Sequence, residues 1–253
     1  MTVEELFPER RSVPLESAYA NLGLAARAEG LRRPYVVANM VATVDGRAAL
    51  GGRTQEISSA ADRELFHALR AQVDAVIVGT ATIAIERYGP LLRDEARVAR
   101  RIERGLAPRP LAVTASRSLE LPVDVPLFQD PESRVVVLAA RAGEVPERGA
   151  AVIVEPVPGP EERTIDFLAG LELLRARYGV RTLLLEGGPT LLAAMLEVGL
   201  VDELFLTRAP LIAAGPEPSL VEGDLLPERI RLRLLGLLKD EEDFLFARYA
   251  VGA

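Results

Sequence analysis

Short apolar runs rich in β-branched residues recur along most of this chain, separated by segments with helical spacing. Six runs have the length of buried strands: 35–44, 75–79, 111–114, 135–139, 152–155 and 182–186. Strands that alternate with helices predict an α/β fold with a mainly parallel central sheet flanked by helices. Three later runs are expected to add antiparallel strands at the C-terminal end: 202–211, 230–238 and 244–251.

Helices are predicted where apolar residues recur at helical spacing or where a capping residue stands before them. Five segments carry these signals: 59–72, 82–86, 94–104, 164–178 and 188–198. Ser58 or Ser59 can cap the first of them. Residues 1–33 are interpreted as a separate N-terminal arm with one amphipathic helix near 17–28. Residues 34–253 are interpreted as one domain.

The composition excludes several kinds of site and partner. The chain has no Cys and a single His, so disulfides, a thiolate nucleophile and the usual zinc site are excluded, and we expect no metal. That residue, His67, falls inside a predicted helix and is given no role. A net charge of −7 lacks the basic footprint of a nucleic-acid binder. The chain starts without an apolar signal core and has no membrane-length apolar run, so we expect a cytoplasmic protein without a membrane partner.

The segment LLLEGGPTL at 183–191 is the most informative local motif. An apolar strand leads into Gly187 and Gly188, and a helix then begins with Pro189. Glycines let a ligand approach the backbone closely, and a helix start offers unpaired N–H groups. The Thr190 hydroxyl can add a donor. The arrangement favours a phosphate or pyrophosphate, while a tight turn that binds nothing is the alternative.

Two more loops have the same form, each at the carboxyl end of an apolar strand. They are the segments 43–47 and 79–82. Open α/β sheets bind ligands at the carboxyl ends of their strands, so the three loops predict a ligand site there. Capping of a turn or a helix is the alternative role for Thr43 and Thr82.

Three blocks of the sequence resemble the riboflavin-biosynthesis pyrimidine reductase family, which includes the reductase domain of the bacterial bifunctional deaminase–reductase. They are YVVANMVATVDGR (35–47), LRAQVDAVIVGTATIAIE (69–86) and LEGGPTLLAAMLEVGLVDELFLTRAPLIAAG (185–215). The similarity covers roughly residues 34–251. It implies a dihydrofolate-reductase-like fold, NADPH as cofactor, a homodimer, and reduction of the ribosyl group of a phosphoribosylamino-pyrimidine to ribityl.

The resemblance also implies which residues bind the cofactor. The pyrophosphate falls on the start of the helix after the glycines: Gly187, Gly188, Pro189, Thr190 and Leu191. Thr82 and Glu86, the latter where much of the family has Asp, match contacts near the nicotinamide. Ser116 and Arg117 match a position near the adenosine ribose, where a hydroxyl and a guanidinium favour the 2′-phosphate of NADPH.

The substrate residues that the resemblance implies are Asn39, Thr54, Arg70, Arg93 and Glu186. The family often has Lys at the position of Asn39, and Trp where this chain has Glu56. The implied chemistry is hydride transfer to the anomeric carbon of the ribosylamine in its ring-opened imine form, with a proton for the departing ring oxygen. Asp45, Glu86 and Glu186 are the candidate catalytic acids, and the sequence does not rank them.

Other functions stay open at this level. One alternative is an NADPH-dependent reductase of another substrate on the same fold, such as dihydrofolate or a pterin-like ring. A second is a non-catalytic NADPH-binding domain. The sequence also leaves open whether the pyrimidine is aminated or already deaminated, and whether a separate deaminase works with this chain.

Overall fold

The computed structural model describes residues 1–146 and 148–252. Its chain divides into two compact units. The first unit contains residues 1–23, 36–69 and those from Pro189 onward, and the second contains residues 24–35 and 70–188.

Apart from two strands near the N-terminus, the strands lie close to the runs that the sequence indicated. In chain order they are β1 (Thr2–Phe7), β2 (Arg11–Pro14), β3 (Tyr35–Thr43), β4 (Ala75–Gly79), β5 (Leu111–Ser116), β6 (Arg134–Ala139), β7 (Ala151–Pro156), β8 (Thr182–Leu185), β9 (Glu203–Ala209), β10 (Leu232–Lys239) and β11 (Leu245–Val251). The helices are α1 (Leu15–Ala18), α2 (Leu24–Arg27), α3 (Ala60–Arg70), α4 (Thr80–Ile85), α5 (Glu95–Glu103), α6 (Pro126–Gln129), α7 (Phe167–Tyr178) and α8 (Pro189–Glu197).

The second unit is built on a parallel arrangement of strands in the order β8-β4-β5-β6-β7. Helices and connections pack on these strands, so the side chains of the strands are apolar. Val76, Val136 and Leu184, for example, have no exposed surface. Helix α7 is capped by Asp166, whose side chain accepts from the Ala169 N–H, and it ends at Gly179 in the left-handed conformation. All these strands point the same way, so their carboxyl ends share one edge.

The first unit combines one parallel pair with antiparallel strands. β3 lies parallel to β9, whereas the β9–β11, β11–β10, β10–β1 and β1–β2 pairs are antiparallel. The expected mainly parallel sheet with antiparallel C-terminal strands is therefore confirmed. The cap of α3 is confirmed as well, because the Ser59 hydroxyl accepts from the Asp62 N–H at 3.0 Å.

The N-terminal segment differs from its prediction. The single amphipathic helix expected near 17–28 is wrong, because the segment forms only the one-turn helices α1 and α2, with Gly23 at a φ of +66° between them. Two strands, β1 and β2, precede these helices. β1 pairs with β10, and Glu4 lies opposite Lys239. Because β10 lies near the other end of the chain, no local sequence pattern predicts its pairing with β1. The division into an arm and one domain stays a prediction.

Residues 1–146 and 148–252 contain neither a candidate membrane span nor a candidate metal site. No helix there is long and apolar enough to cross a bilayer. No group of three or more His, Asp or Glu side chains there is arranged to hold a metal ion.

Candidate active site

The loop that follows β8 is fastened to the end of β4 and the start of α4. The Glu186 N–H donates to the Ile77 carbonyl, and the Gly79 N–H donates to the Gly187 carbonyl, both at 3.0 Å. Gly187 has a φ of +99°, a conformation that favours glycine. A Cβ atom at residue 188 would lie only 2.8 Å from Thr82 Oγ1. Both glycines are therefore required by the path of the loop, which brings Thr82 beside Gly188.

Glu186 and Arg70, two residues expected to contact substrate, contact each other. The Arg70 Nε donates to Glu186 Oε1 at 2.5 Å, and Arg70 Nη2 donates to Oε2 at 2.6 Å. Only 9% of the Arg70 side chain is exposed, and the Glu186 carboxylate is fully buried. Burial opposes the charge of Arg70, but the neighbouring Glu186 carboxylate outweighs it and raises the Arg70 pKa. The pair is a two-point ion pair of the kind that fixes both side chains.

Tyr88 completes this pair and was not singled out in the sequence. Its hydroxyl donates to Glu186 Oε2 at 3.1 Å, and the Arg70 guanidinium carbon lies 5.5 Å from the centre of its ring. Burial, and then the charge of Glu186, raise the pKa of Tyr88 well above its ordinary value. Tyr88 lies in an irregular connection after α4, where no periodicity marks a residue. The residues near Tyr88 that the family resemblance indicated are Glu86 and Arg93.

Glu86 and Arg93 flank Tyr88 in the same connection. Glu86 is half-buried at the end of α4, and its N–H donates to the Thr82 carbonyl at 3.0 Å. Arg93 is exposed, and its guanidinium folds over Gly89, where an added Cβ would lie 2.7 Å from Arg93 Nη2. The Arg70 Nη1 donates to the Leu91 carbonyl at 3.0 Å. Of the two arginines expected to contact substrate, Arg93 is the one that presents its side chain to solvent.

Ser116 and Arg117 lie at the carboxyl end of β5 but have different surroundings. Ser116 is buried, and its hydroxyl accepts from the Leu119 N–H at 3.0 Å. Arg117 is exposed. A third residue enters from the loop after β6, where Arg141 Nη2 donates to the Ser118 carbonyl at 3.3 Å. The Ser116 hydroxyl thus stabilises its own turn, while two arginines approach the same short loop.

The remaining expected residues belong to the first unit. Asn39 is half-buried in β3, opposite Phe205 of β9. Thr54 is half-buried and precedes a single 3-10 turn at Gln55–Ile57. At the start of α8, Pro189 is half-buried, Thr190 is exposed and Leu191 is buried. Contact of these residues with a ligand stays a prediction.

Asp45 links two loops of the first unit. Its carboxylate accepts from Thr43 Oγ1 at 2.6 Å, from the Ala213 N–H at 3.1 Å and from the Ala214 N–H at 2.8 Å. These hydrogen bonds, led by that from Thr43, lower the Asp45 pKa to about 2. Asp45 is therefore a carboxylate at neutral pH, which makes it an acceptor that holds the loop after β9 rather than a source of a proton.

Comparison with known proteins gives a consistent result. The family model for the RibD C-terminal domain matches residues 34–246. The 2,5-diamino-6-ribosylamino-4(3H)-pyrimidinone 5′-phosphate reductase of Archaeoglobus fulgidus is 30% identical over 202 residues, which cover 79% of this chain and 91% of that protein. The riboflavin biosynthesis protein RibD of Mycobacterium tuberculosis is 34% identical over 185 residues, which cover 72% of this chain and 44% of that protein.

Solved structures show the same fold. A pyrimidine reductase-like protein of Corynebacterium diphtheriae superposes with a TM-score of 0.75 and 26% identity, covering 94% of this chain and 98% of that one. The riboflavin biosynthesis reductase Rib7 of Saccharomyces superposes with a TM-score of 0.66 at 15% identity, covering 88% of this chain and 92% of that one, a likeness of fold alone. The expected dihydrofolate-reductase-like fold, the type of these reductases, is confirmed.

Proposed function

The chain belongs to the RibD C-terminal domain family, and on that basis we propose that it reduces the ribosyl group of a phosphoribosylamino-pyrimidine to ribityl in riboflavin biosynthesis. The observation that carries the proposal is the grouping of Thr82, Glu186, Gly187 and Gly188 at the carboxyl ends of β4 and β8. That is the edge at which open α/β sheets bind their ligands. The relatives with matching length are named as reductases of such a pyrimidine phosphate.

The residues beside this edge fit a nicotinamide cofactor. Gly187 and Gly188 have no side chains, and the loop that they form brings Thr82 beside the start of the helix, where free N–H groups suit a pyrophosphate. Thr82 and Glu86 are proposed to hold the nicotinamide side, and Pro189, Thr190 and Leu191 the pyrophosphate side. A bound nicotinamide supplies a hydride for the anomeric carbon of the substrate.

NADPH is the proposed form of the cofactor. The exposed Arg117 side chain can face a 2′-phosphate, and Arg141 approaches the same loop from the neighbouring strand end. Guanidinium groups pair with phosphate at two points and suit this task. Ser116, by contrast, is buried and bonded to its own turn, so we assign the preference to Arg117.

Of the three candidates for the acid that protonates the departing ring oxygen, two can be set aside. Asp45 has a pKa of about 2 and is bonded to a loop, and both oxygens of the Glu186 side chain accept hydrogen bonds from Arg70. A general acid must carry a proton near neutral pH, which Asp45 does not, and both Glu186 oxygens are already occupied as acceptors, so neither residue suits the role. Glu86 is the remaining candidate of the three. Glu186 is proposed to accept a hydrogen bond from a substrate hydroxyl, and Arg93 to bind the substrate phosphate.

The test is steady-state oxidation of NADPH with three substrates, namely the aminated pyrimidine, the deaminated pyrimidine and dihydrofolate. Turnover with either pyrimidine supports the proposal and identifies which form is used. Turnover with dihydrofolate alone would replace the pathway while keeping a reductase. Tight cofactor binding with no turnover of any of the three would indicate a non-catalytic binding domain. A homodimer, a cytoplasmic location and a separate deaminase partner remain parts of the proposal.

A further inference from the structure

Tyr88 contacts both members of the buried pair described above. Its hydroxyl donates to the oxygen of Glu186 that also receives Arg70 Nη2, and its ring lies beside the Arg70 guanidinium. We propose that Tyr88 is a positioning residue, which holds the Glu186 carboxylate in the orientation that the reduction requires. The inference rests on the proposed function and adds to it a residue that the comparisons do not assign.

The contacts of Tyr88 anchor it independently of any ligand. The Tyr88 N–H donates to the Ile83 carbonyl at 3.1 Å, and its own carbonyl accepts from the Leu127 N–H at 2.9 Å. The backbone is thereby fixed on both sides, and the hydroxyl has a defined place from which to reach Glu186. Arg70 also binds this connection, through the Leu91 carbonyl, so the two segments that donate to the Glu186 carboxylate are fastened to each other.

Counting acceptor positions shows what this arrangement leaves to a substrate. An ionised carboxylate offers about four positions for hydrogen-bond donors. Arg70 Nε, Arg70 Nη2 and the Tyr88 hydroxyl fill three of those on Glu186. One position then remains, with its direction fixed by the other three, and a substrate hydroxyl reaches it by displacing the atoms that cover the buried carboxylate. Loss of the Tyr88 hydroxyl opens a second position and lets the carboxylate bind a substrate hydroxyl in the wrong direction.

The protonation states of Tyr88 and Arg70 support a role for Tyr88 that does not change near neutral pH. Burial and the charge of Glu186 raise the pKa of Tyr88, so the phenol keeps its proton and remains a donor. The same carboxylate raises the pKa of Arg70, which stays charged. Glu186 therefore faces two permanent donors, and its part in the reaction is that of an acceptor.

Tyr88→Phe tests the proposal, because it removes the hydroxyl and keeps the ring beside Arg70. A hydrogen bond to a charged group corresponds to about a ten- to hundredfold effect on rate when it acts in the transition state. We expect kcat to fall by about that factor, with the KM for the pyrimidine and the calorimetric Kd for NADPH within about threefold of wild type.

The chain offers a matched control in Tyr178→Phe. The Tyr178 hydroxyl also donates to a glutamate, Glu155, whose carboxylate is paired with an arginine, Arg177, but none of the three is placed in the proposed site. We expect Tyr178→Phe to keep wild-type kinetics. A general effect of removing a phenol hydroxyl that donates to a glutamate would lower the activity of both variants alike and would overturn the proposal.

A double-mutant cycle separates positioning from a merely structural role. If Tyr88 acts through Glu186, then Tyr88→Phe combined with Glu186→Gln should be no slower than Glu186→Gln alone. Independent, multiplying losses would overturn the proposal, as would a Tyr88→Phe variant with wild-type kcat. Failure of the proposed function looks different, because the wild-type protein itself would then turn over neither pyrimidine, and the role of Tyr88 would fall with it.

Discussion

The buried Arg70–Glu186 pair predicts a large loss of stability when one partner is removed. Only 9% of the Arg70 side chain and none of Glu186 is exposed, so Glu186→Gln leaves a desolvated guanidinium without its counter-charge. Breaking a buried pair in this way costs about 3–5 kcal/mol. The Gln side chain keeps one acceptor oxygen for Arg70, so we expect about 3 kcal/mol. For a chain of this size that corresponds to a fall of roughly 6–12 °C in Tm.

The measurement is urea-induced unfolding followed by circular dichroism, for wild type, Glu186→Gln, Arg70→Met and the double variant Arg70→Met/Glu186→Leu. The double variant removes both charges and fills the space with apolar atoms. We expect its loss to be smaller than the sum of the single losses by about 2 kcal/mol or more.

Arg177→Met is the control for this series. Its guanidinium also pairs with a buried glutamate, Glu155, but 64% of the Arg177 side chain is exposed. Solvent screens such a pair, so we expect at most about 1 kcal/mol. If Glu186→Gln unfolds within about 0.5 kcal/mol of wild type, the argument from desolvation is refuted, and the pair must be hydrated in solution.

Three further predictions follow from the site. NADPH should bind at least about tenfold more tightly than NADH, equal to about 1.4 kcal/mol. In calorimetry, Arg117→Ala should reduce this preference and leave the affinity for NADH unchanged. An unchanged preference would exclude Arg117 as the residue that binds the 2′-phosphate. The folded-state pKa of Asp45 is lowered to about 2, so its contribution to stability is present above its ordinary pKa near 4 and is lost as pH falls toward 2. Asp45→Asn should therefore lower Tm at pH 5–7 and converge with wild type near pH 2, and a gap that persists there would contradict the assignment. Light scattering at micromolar concentration should show twice the chain mass of 27.4 kDa, and a monomer would refute the homodimer.

The local sequence determined most of the second unit. Parallel strands buried on both faces must be apolar throughout, so β4, β6 and β8 stand out as continuous runs such as AVIVG and TLLL. The Gly187-Gly188-Pro189 sequence likewise marks where a strand ends and a helix begins, because only glycine tolerates the path of that loop. These features depend on neighbours in the chain and could be predicted without coordinates.

Tertiary structure alone decided how the candidate residues are used. Arg70 and Glu186 lie 116 residues apart in the chain, and only folding shows that their charges neutralise each other inside the protein. The same holds for Asp45 and the loop near Ala214, 169 residues away, whose hydrogen bonds make Asp45 an acceptor. The N-terminal strands were missed for this reason too, since β1 pairs with β10 from the far end of the chain. Sequence patterns report local spacing, whereas the pKa of a side chain and its partner depend on burial and on charges brought close by the fold.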